Sequence, residues 1–465
     1  MLGTILPKIV RISSLIFVLA MAPVAFSQGD SSALTAEQRN LNLQSLEKIF
    51  TTVRDTHWDP TLGGVDWNAA HQRALLKLKK AEDMRQARAV MSDMLAKLKQ
   101  SHFAVIPADL YQEIQPASKN RQSAKPRDNE PPDSQAPRIK APADSVRREE
   151  LCGVGLEALV IDGKARVIAI DAGSPAFKAG IHLGWEVVSV DGLDLANPIK
   201  MLAAADLRER EMYQRAILEE AFLGPRDETL EAVFSDGESR IHKLTLERTE
   251  PKGNLAKLGF LPATRVWLES RELNGPIGYV RFNAFLDPEK LMPAFEKAVR
   301  DCAKCQGFII DLRGNPGGIG AMSMGMAGWF VARKGRRLGT LKARDSSTEY
   351  VINPRVNAFE GPLAILVDGG SASTSEIFAA GLQDLGRARV FGTKTAGAAL
   401  PSQVIRLPNL DGFQYAEANY TSRNGLVLEG AGVTPDVLVE HTRASLLAGR
   451  DTALDAAVNW IPTAN

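Results

Sequence analysis

The sequence predicts a multidomain α/β protein, and three observations carry that expectation. An amphipathic helical pattern fills residues 34–98, short turn-punctuated strands fill residues 165–246, and strands alternate with helices from Gly275 onward. With 465 residues, 45% of them hydrophobic and 24% charged, the chain is long enough for two or three separately cored units.

In the first unit, Thr35-x-x-Gln38 has capping-box spacing. Leu46, Ile49, Phe50 and Val53 form one apolar stripe, and Val90, Met91, Met94, Leu95 and Leu98 form another. The helical pattern stops at Ser101-His102, before the apolar run Phe103 to Ile106 and Pro107. Residues 28–113 are therefore expected to form a helical N-terminal domain. Residues 114–149 carry Pro116, Pro126, Pro131, Pro132, Pro137 and Pro142 among polar residues, with too little apolar surface to offset ordering, and read as a flexible linker.

Lys8 and Arg11 precede an apolar run from Ile12 to Phe26, and Ala25-Phe26-Ser27 supplies a small-x-small site, so residues 1–27 read as a secretory signal cleaved before Gln28. Export to a periplasmic or extracellular compartment follows. A retained anchor is the other reading, but the run contains Pro23 and is shorter than the roughly 20 residues of a spanning helix. No stable membrane insertion is expected after cleavage. Losing Lys8 and Arg11 leaves 54 basic against 55 acidic residues, so nothing points to nucleic acid.

Cys302-Ala-Lys-Cys305 lacks the second pair a zinc site needs, and with Cys152 it is too little for a disulfide framework. A local disulfide and two helix-end thiols both remain open. No metal or other cofactor is expected.

The strands Ala165 to Ile170, Glu186 to Val190, Leu230 to Phe234 and Arg240 to Leu246 flank a short helix, Ser174 to Ala179, stopped by Gly180. With Gly153-Val154-Gly155-Leu156 ahead of them, residues 150–250 resemble a PDZ domain. The resemblance implies that Gly153, Val154, Gly155 and Leu156 offer N–H groups to a peptide's terminal carboxylate while the peptide extends the sheet edge. Trp185 stands where that family usually has an acidic residue after the glycine.

Residues 251–465 are read as the α/β core. Its elements are strands Ile277 to Phe282, Phe308 to Leu312, Leu363 to Val367 and Val390 to Gly392, and helices from Pro288 to Ala303, Ala321 to Ala332 and Thr374 to Leu385. Functional groups collect at the carboxyl ends of such strands. Ser373 falls there, at a strand-to-helix turn where the first helix amides favour an oxyanion. Ser373-x-x-Glu376 is also a capping box, and an ordinary N-cap serine has the same spacing. Asp311-Leu312-Arg313-Gly314-Asn315-Pro316-Gly317-Gly318 places a glycine-rich turn after a second core strand, without the Gly-Lys-Ser/Thr of a phosphate loop.

These two segments, with Gly430-Ala431-Gly432-Val433-Thr434-Pro435-Asp436, resemble the core motifs of the C-terminal-processing and tricorn-type serine peptidases, whose core is similar to the Clp-protease and crotonase architecture. The order of signal, helical domain, PDZ domain and core also matches. In the serine–lysine branch, a lysine would occupy the position of Ala398, so that dyad is absent in register. Lys394, four positions earlier, is the remaining lysine candidate. The tricorn-like branch implies Ser373 as nucleophile, His102 as base, and Glu429 with Ser101 as a relay behind it. Gly318 and Thr374 N–H are the implied oxyanion donors. His57, His71, His182, His242 and His441 have no comparable context.

The expected function is an exported serine endopeptidase acting on protein or peptide substrates presented by their C-termini to the PDZ domain. The alternatives are a non-catalytic peptide-binding protein on a degenerate protease scaffold, and a hydrolase of non-peptide acyl substrates.

Overall fold

A computed structural model describes residues 32–108, 151–202, 207–257 and 263–464. The expected signal segment 1–27 and the linker 114–149 lie outside the described residues.

The N-terminal unit contains helices Ala36–Thr56, Trp67–Leu78 and Met84–Leu95. Thr35 Oγ1 accepts the Gln38 N–H at 3.1 Å and Gln38 Oε1 accepts the Thr35 N–H at 2.9 Å, so the capping box is formed in both directions. The two stripes face one another in an apolar cluster that also takes in Leu400, Leu407, Phe413 and Tyr415 from the far end of the chain. Those residues flank or belong to the hairpin Ser402–Arg406 and Gly412–Ala416, to which the strand Ala104–Ile106 adds antiparallel, with Ala104 opposite Gln414 and Ile106 opposite Gly412. The N-terminal helices therefore complete their core only with residues of the C-terminal region.

The middle unit is an antiparallel sheet with strands Leu156–Ile161, Lys164–Ile170, Glu186–Val190, Thr229–Ser235 and Ile241–Glu247 in spatial order, beside helix Leu207–Ala221. Leu156–Ile161 lies at the sheet edge and packs against that helix. Ser174 caps the short helix Pro175–Lys178 by accepting the Phe177 N–H.

The C-terminal unit is built on a sheet ordered Leu268–Leu273, Ile277–Phe282, Gly307–Asp311, Leu363–Val367, Arg389–Gly392, Val437–Leu438. The first pair is antiparallel and the rest are parallel. Every residue of Leu363–Val367 is buried because both faces are covered. Leu363, Ile365 and Val367 join the cluster with Phe295, Met326 and Phe378, whereas Ala364 and Leu366 face Ala457 and Ile461.

The helix expected to reach Ala332 spans only Gly320–Ala327. Gly328 abuts the Asn353 carbonyl so closely that a Cβ there would lie 1.7 Å from its oxygen. Gly328 O and Trp329 O accept N–H groups from Arg355 and Phe359, so the chain leaves the helix to bond its neighbour. Cys302 and Cys305 form a disulfide across the end of helix Pro288–Asp301. Among the described residues no helix is long and apolar enough to cross a membrane, and no group of three or more His, Cys, Asp or Glu side chains could hold a metal ion.

Candidate active site

The strand Leu363–Val367 delivers the chain to Asp368, whose Oδ1 accepts the N–H groups of Gly314 at 2.8 Å and Gly370 at 2.9 Å. One carboxylate thus ties the glycine-rich turn to the turn before Ser373. Ser373 then precedes helix Thr374–Asp384 with φ 53° and ψ −116°. An N-cap normally has extended backbone, so an ordinary cap does not need this conformation. A strained strand-to-helix turn is what exposes a hydroxyl nucleophile. The Ser373 N–H donates to Glu376 Oε2 at 3.0 Å and to Ala398 O at 3.0 Å, which holds the turn.

Asn315 sets the facing loop. Its side chain donates to Phe282 O and accepts from Gly317 N–H and Ser375 Oγ. Phe285 N–H donates to Gly317 O while Ile319 N–H donates to Phe285 O, so the Gly318 N–H stays out of this bridge. Thr374 Oγ1 donates to Gly318 O at 2.9 Å, joining the expected oxyanion residues directly. Gly317, at φ +97°, packs so tightly on the Ser373 turn that a Cβ would sit 2.7 Å from Ser373 Cβ and 2.8 Å from Thr374 N.

Ser101 and His102 are adjacent in sequence, and the fold brings Glu429, 328 residues further along, onto Ser101. Ser101 Oγ donates to Glu429 Oε2 at 2.8 Å and lies 2.6 Å from His102 Nδ1, while Ser101 N–H donates to Glu429 Oε1 at 2.7 Å. Ser101 has one hydroxyl proton and gives it to the carboxylate, so its remaining contact must accept the Nδ1 proton, which leaves the His102 Nε2 lone pair as the basic site. His102 is 4% exposed, with φ +62°. Burial pushes its imidazole down to about 3.

Ser373 and Glu429 are tied to the same loop. Ala398 O takes the Ser373 N–H, and the next N–H, that of Ala399, donates to Glu429 Oε2 at 3.1 Å. Glu376 clamps the same loop by accepting from Thr395 Oγ1, Gly397 N–H and Ala398 N–H; burial drives its carboxyl up to about 7. Sequence reading took Glu376 only as a cap residue and missed this second task. Lys394 is exposed and Ala398 buried. A general-base lysine works from a desolvated pocket, and Lys394 stands in solvent.

The Gly153 to Leu156 segment belongs to the middle unit. The Gly153 N–H donates to Thr249 O at 2.9 Å and is already committed, so a role for it as a carboxylate donor is not supported. Gly155, at φ +72°, lies against Ser174, and Leu156 packs on the middle unit's core.

The comparisons with known proteins give the class: the chain is a serine-type peptidase, a hydrolase. Residues 276–439 match the model of Peptidase family S41. The chain is 26% identical over 331 residues to the carboxy-terminal-processing protease of Bartonella bacilliformis, covering 69% of this chain and 68% of that one. It is 26% identical over 429 residues to the chloroplastic carboxyl-terminal-processing peptidase 3 of Arabidopsis thaliana, covering 89% and 71%. The solved photosystem II D1 C-terminal processing protease has a similar fold, with a TM-score of 0.53 at 21% identity over 88% of this chain and 94% of that one.

Proposed function

We propose that the chain is an exported endopeptidase of the tricorn-like type, in which Ser373 attacks the scissile carbonyl and His102 takes its proton. Glu429 and Ser101 orient the imidazole and stabilise its charged form, and Gly318 and Thr374 N–H receive the oxyanion. The hydrogen-bonded series from Glu429 through Ser101 to His102, anchored on the loop that holds Ser373, carries this reading. As the tetrahedral intermediate collapses, His102 gives the proton to the leaving amine and the acyl-enzyme on Ser373 forms; a water that passes its proton to His102 then attacks the ester, and His102 returns that proton to Ser373 Oγ as the acid is released.

Substrate recruitment through residues 150–250 is part of the proposal. The edge strand Leu156–Ile161 beside helix Leu207–Ala221 offers a place for an extended peptide terminus, with the Val154 to Leu156 turn at its end.

A fluorophosphonate probe is expected to label the wild-type protein and not Ser373→Ala, and only the wild type should hydrolyse fluorescein-labelled casein. Equal labelling of both would remove Ser373 as nucleophile, and binding of C-terminal peptides without turnover would favour a peptide-binding protein.

Two further results are expected. Because burial disfavours the imidazolium, His102 stays neutral below its ordinary value, and the acid limb of kcat/KM should lie well under pH 6.5. A limb at or above 6.5 would count against a buried base. Glu429→Gln should lower kcat by on the order of 10²–10⁴-fold with little change in KM, as loss of the group behind a catalytic histidine does.

A further inference from the structure

The base of this site is carried by an element with little hold of its own. Ala104–Ile106 is a three-residue strand on the edge of a three-stranded sheet, and His102 lies two residues before it. A strand that slips by one residue moves about 3.3 Å and turns every side chain to the other face. Three ladder positions are too few to fix register alone.

Beyond the other end of this strand sits Asp411, at the turn of the hairpin that receives it. Asp411 Oδ1 accepts the Ala108 N–H at 2.7 Å, two residues past Ile106. The same carboxylate receives Arg88 from helix Met84–Leu95, with Nη2 at 2.9 Å from Oδ1 and Nε at 3.0 Å from Oδ2, and Asn409 Nδ2 at 2.9 Å. The side chains of Arg88 and Asp411 are 5% and 0% exposed. Asn409 extends the contact, its N–H donating to Ser45 Oγ and its Nδ2 to Asn42 Oδ1.

Burying an ion pair costs desolvation that its attraction barely offsets, so such a pair is weak evidence for stability; one demonstrated use is to specify register. Here the strand is gripped at both ends by carboxylates of the C-terminal region: Glu429 holds Ser101, and Asp411 holds Ala108. Nothing in the expected chemistry uses Arg88 or Asp411.

We propose that Arg88 and Asp411 are positioning residues for the catalytic base: the buried pair locks the strand Ala104–Ile106 in register and so fixes His102 against Ser373. This rests on the peptidase reading above. It assigns the pair to catalysis and not to stability, which separates two measurable quantities.

The test is full-length protein carrying Asp411→Asn, and the double replacement Arg88→Met with Asp411→Leu, which leaves no uncompensated charge should the single variant not fold. Casein hydrolysis gives kcat and KM, fluorophosphonate labelling of Ser373 reads the base without substrate binding, and thermal unfolding gives the midpoint. In the double variant the midpoint and KM should stay near wild type while kcat and the labelling rate fall at least about 100-fold, since a displacement of about 1 Å already costs that much and a register slip moves the base further. Wild-type kcat in the double variant overturns the inference, as does a fall in kcat and labelling rate that is fully accounted for by a lowered midpoint and a smaller folded fraction. An inert wild type would sink the peptidase reading and this inference with it, whereas an active wild type beside a fully active double variant would sink this inference alone.

Discussion

His102→Ala is expected to lower kcat/KM on an unfolded protein by about 10⁴–10⁶-fold, close to the effect of Ser373→Ala, because members of one proton-transfer unit fail together and not additively. Ser373 keeps its position in the variant, since its backbone is held by Glu376 and Ala398 and neither bond involves the imidazole. What is lost is the acceptor that makes a hydroxyl nucleophilic near neutral pH. Lys394→Ala, on an exposed side chain, should keep wild-type rates. If the two results were exchanged, the histidine reading would fail and the lysine reading would take its place.

Gly317→Ala should cost about 10²–10³-fold in kcat, the size of effect seen when an oxyanion donor is removed. Two causes act together. The backbone at φ +97° is one that L side chains rarely adopt, which alone costs on the order of 1–3 kcal/mol. The new methyl would also lie 2.8 Å from Thr374 N, where the oxyanion is expected to accept, and 2.7 Å from Ser373 Cβ. Its contacts are the backbone of Ala372 and Thr374 and the Cβ of Ser373, so no flexible side chain can move to make room. Binding of a C-terminal peptide to the middle unit should be unchanged in this variant; a loss there would point to general unfolding.

The features legible in the sequence are the local ones. The run Leu363 to Val367, the turn at Ser373 and the glycine loop from Asp311 to Gly318 each declare themselves within a few residues, because strand burial, helix capping and glycine turns leave short-range patterns. Ser101, His102 and Glu429 were reachable only through family motifs, since 328 residues separate the bonded pair Ser101 and Glu429. Their hydrogen-bond order needed coordinates. Arg88 and Asp411, 323 residues apart, sit in ordinary polar surroundings, and neither carries a local mark. The strands Ser402–Arg406 and Gly412–Ala416 were not anticipated. Gly412–Ala416 is buried at every position, Gln414 included, so the alternation that betrays a half-exposed strand is missing.

The pairing of Ala104–Ile106 with Gly412–Ala416 bears on when the protein becomes dangerous to its surroundings. A chain still being synthesised has made His102 long before Ser373, and on the proposed mechanism the two stay apart until a contact spanning some 310 residues closes. Contacts of that separation pay the greatest loop-closure entropy and form late. In refolding, peptidase activity should therefore lag behind recovery of helix and sheet signal. On the proposed mechanism the sequence order would act as a timer, withholding proteolysis from partly made or partly folded copies.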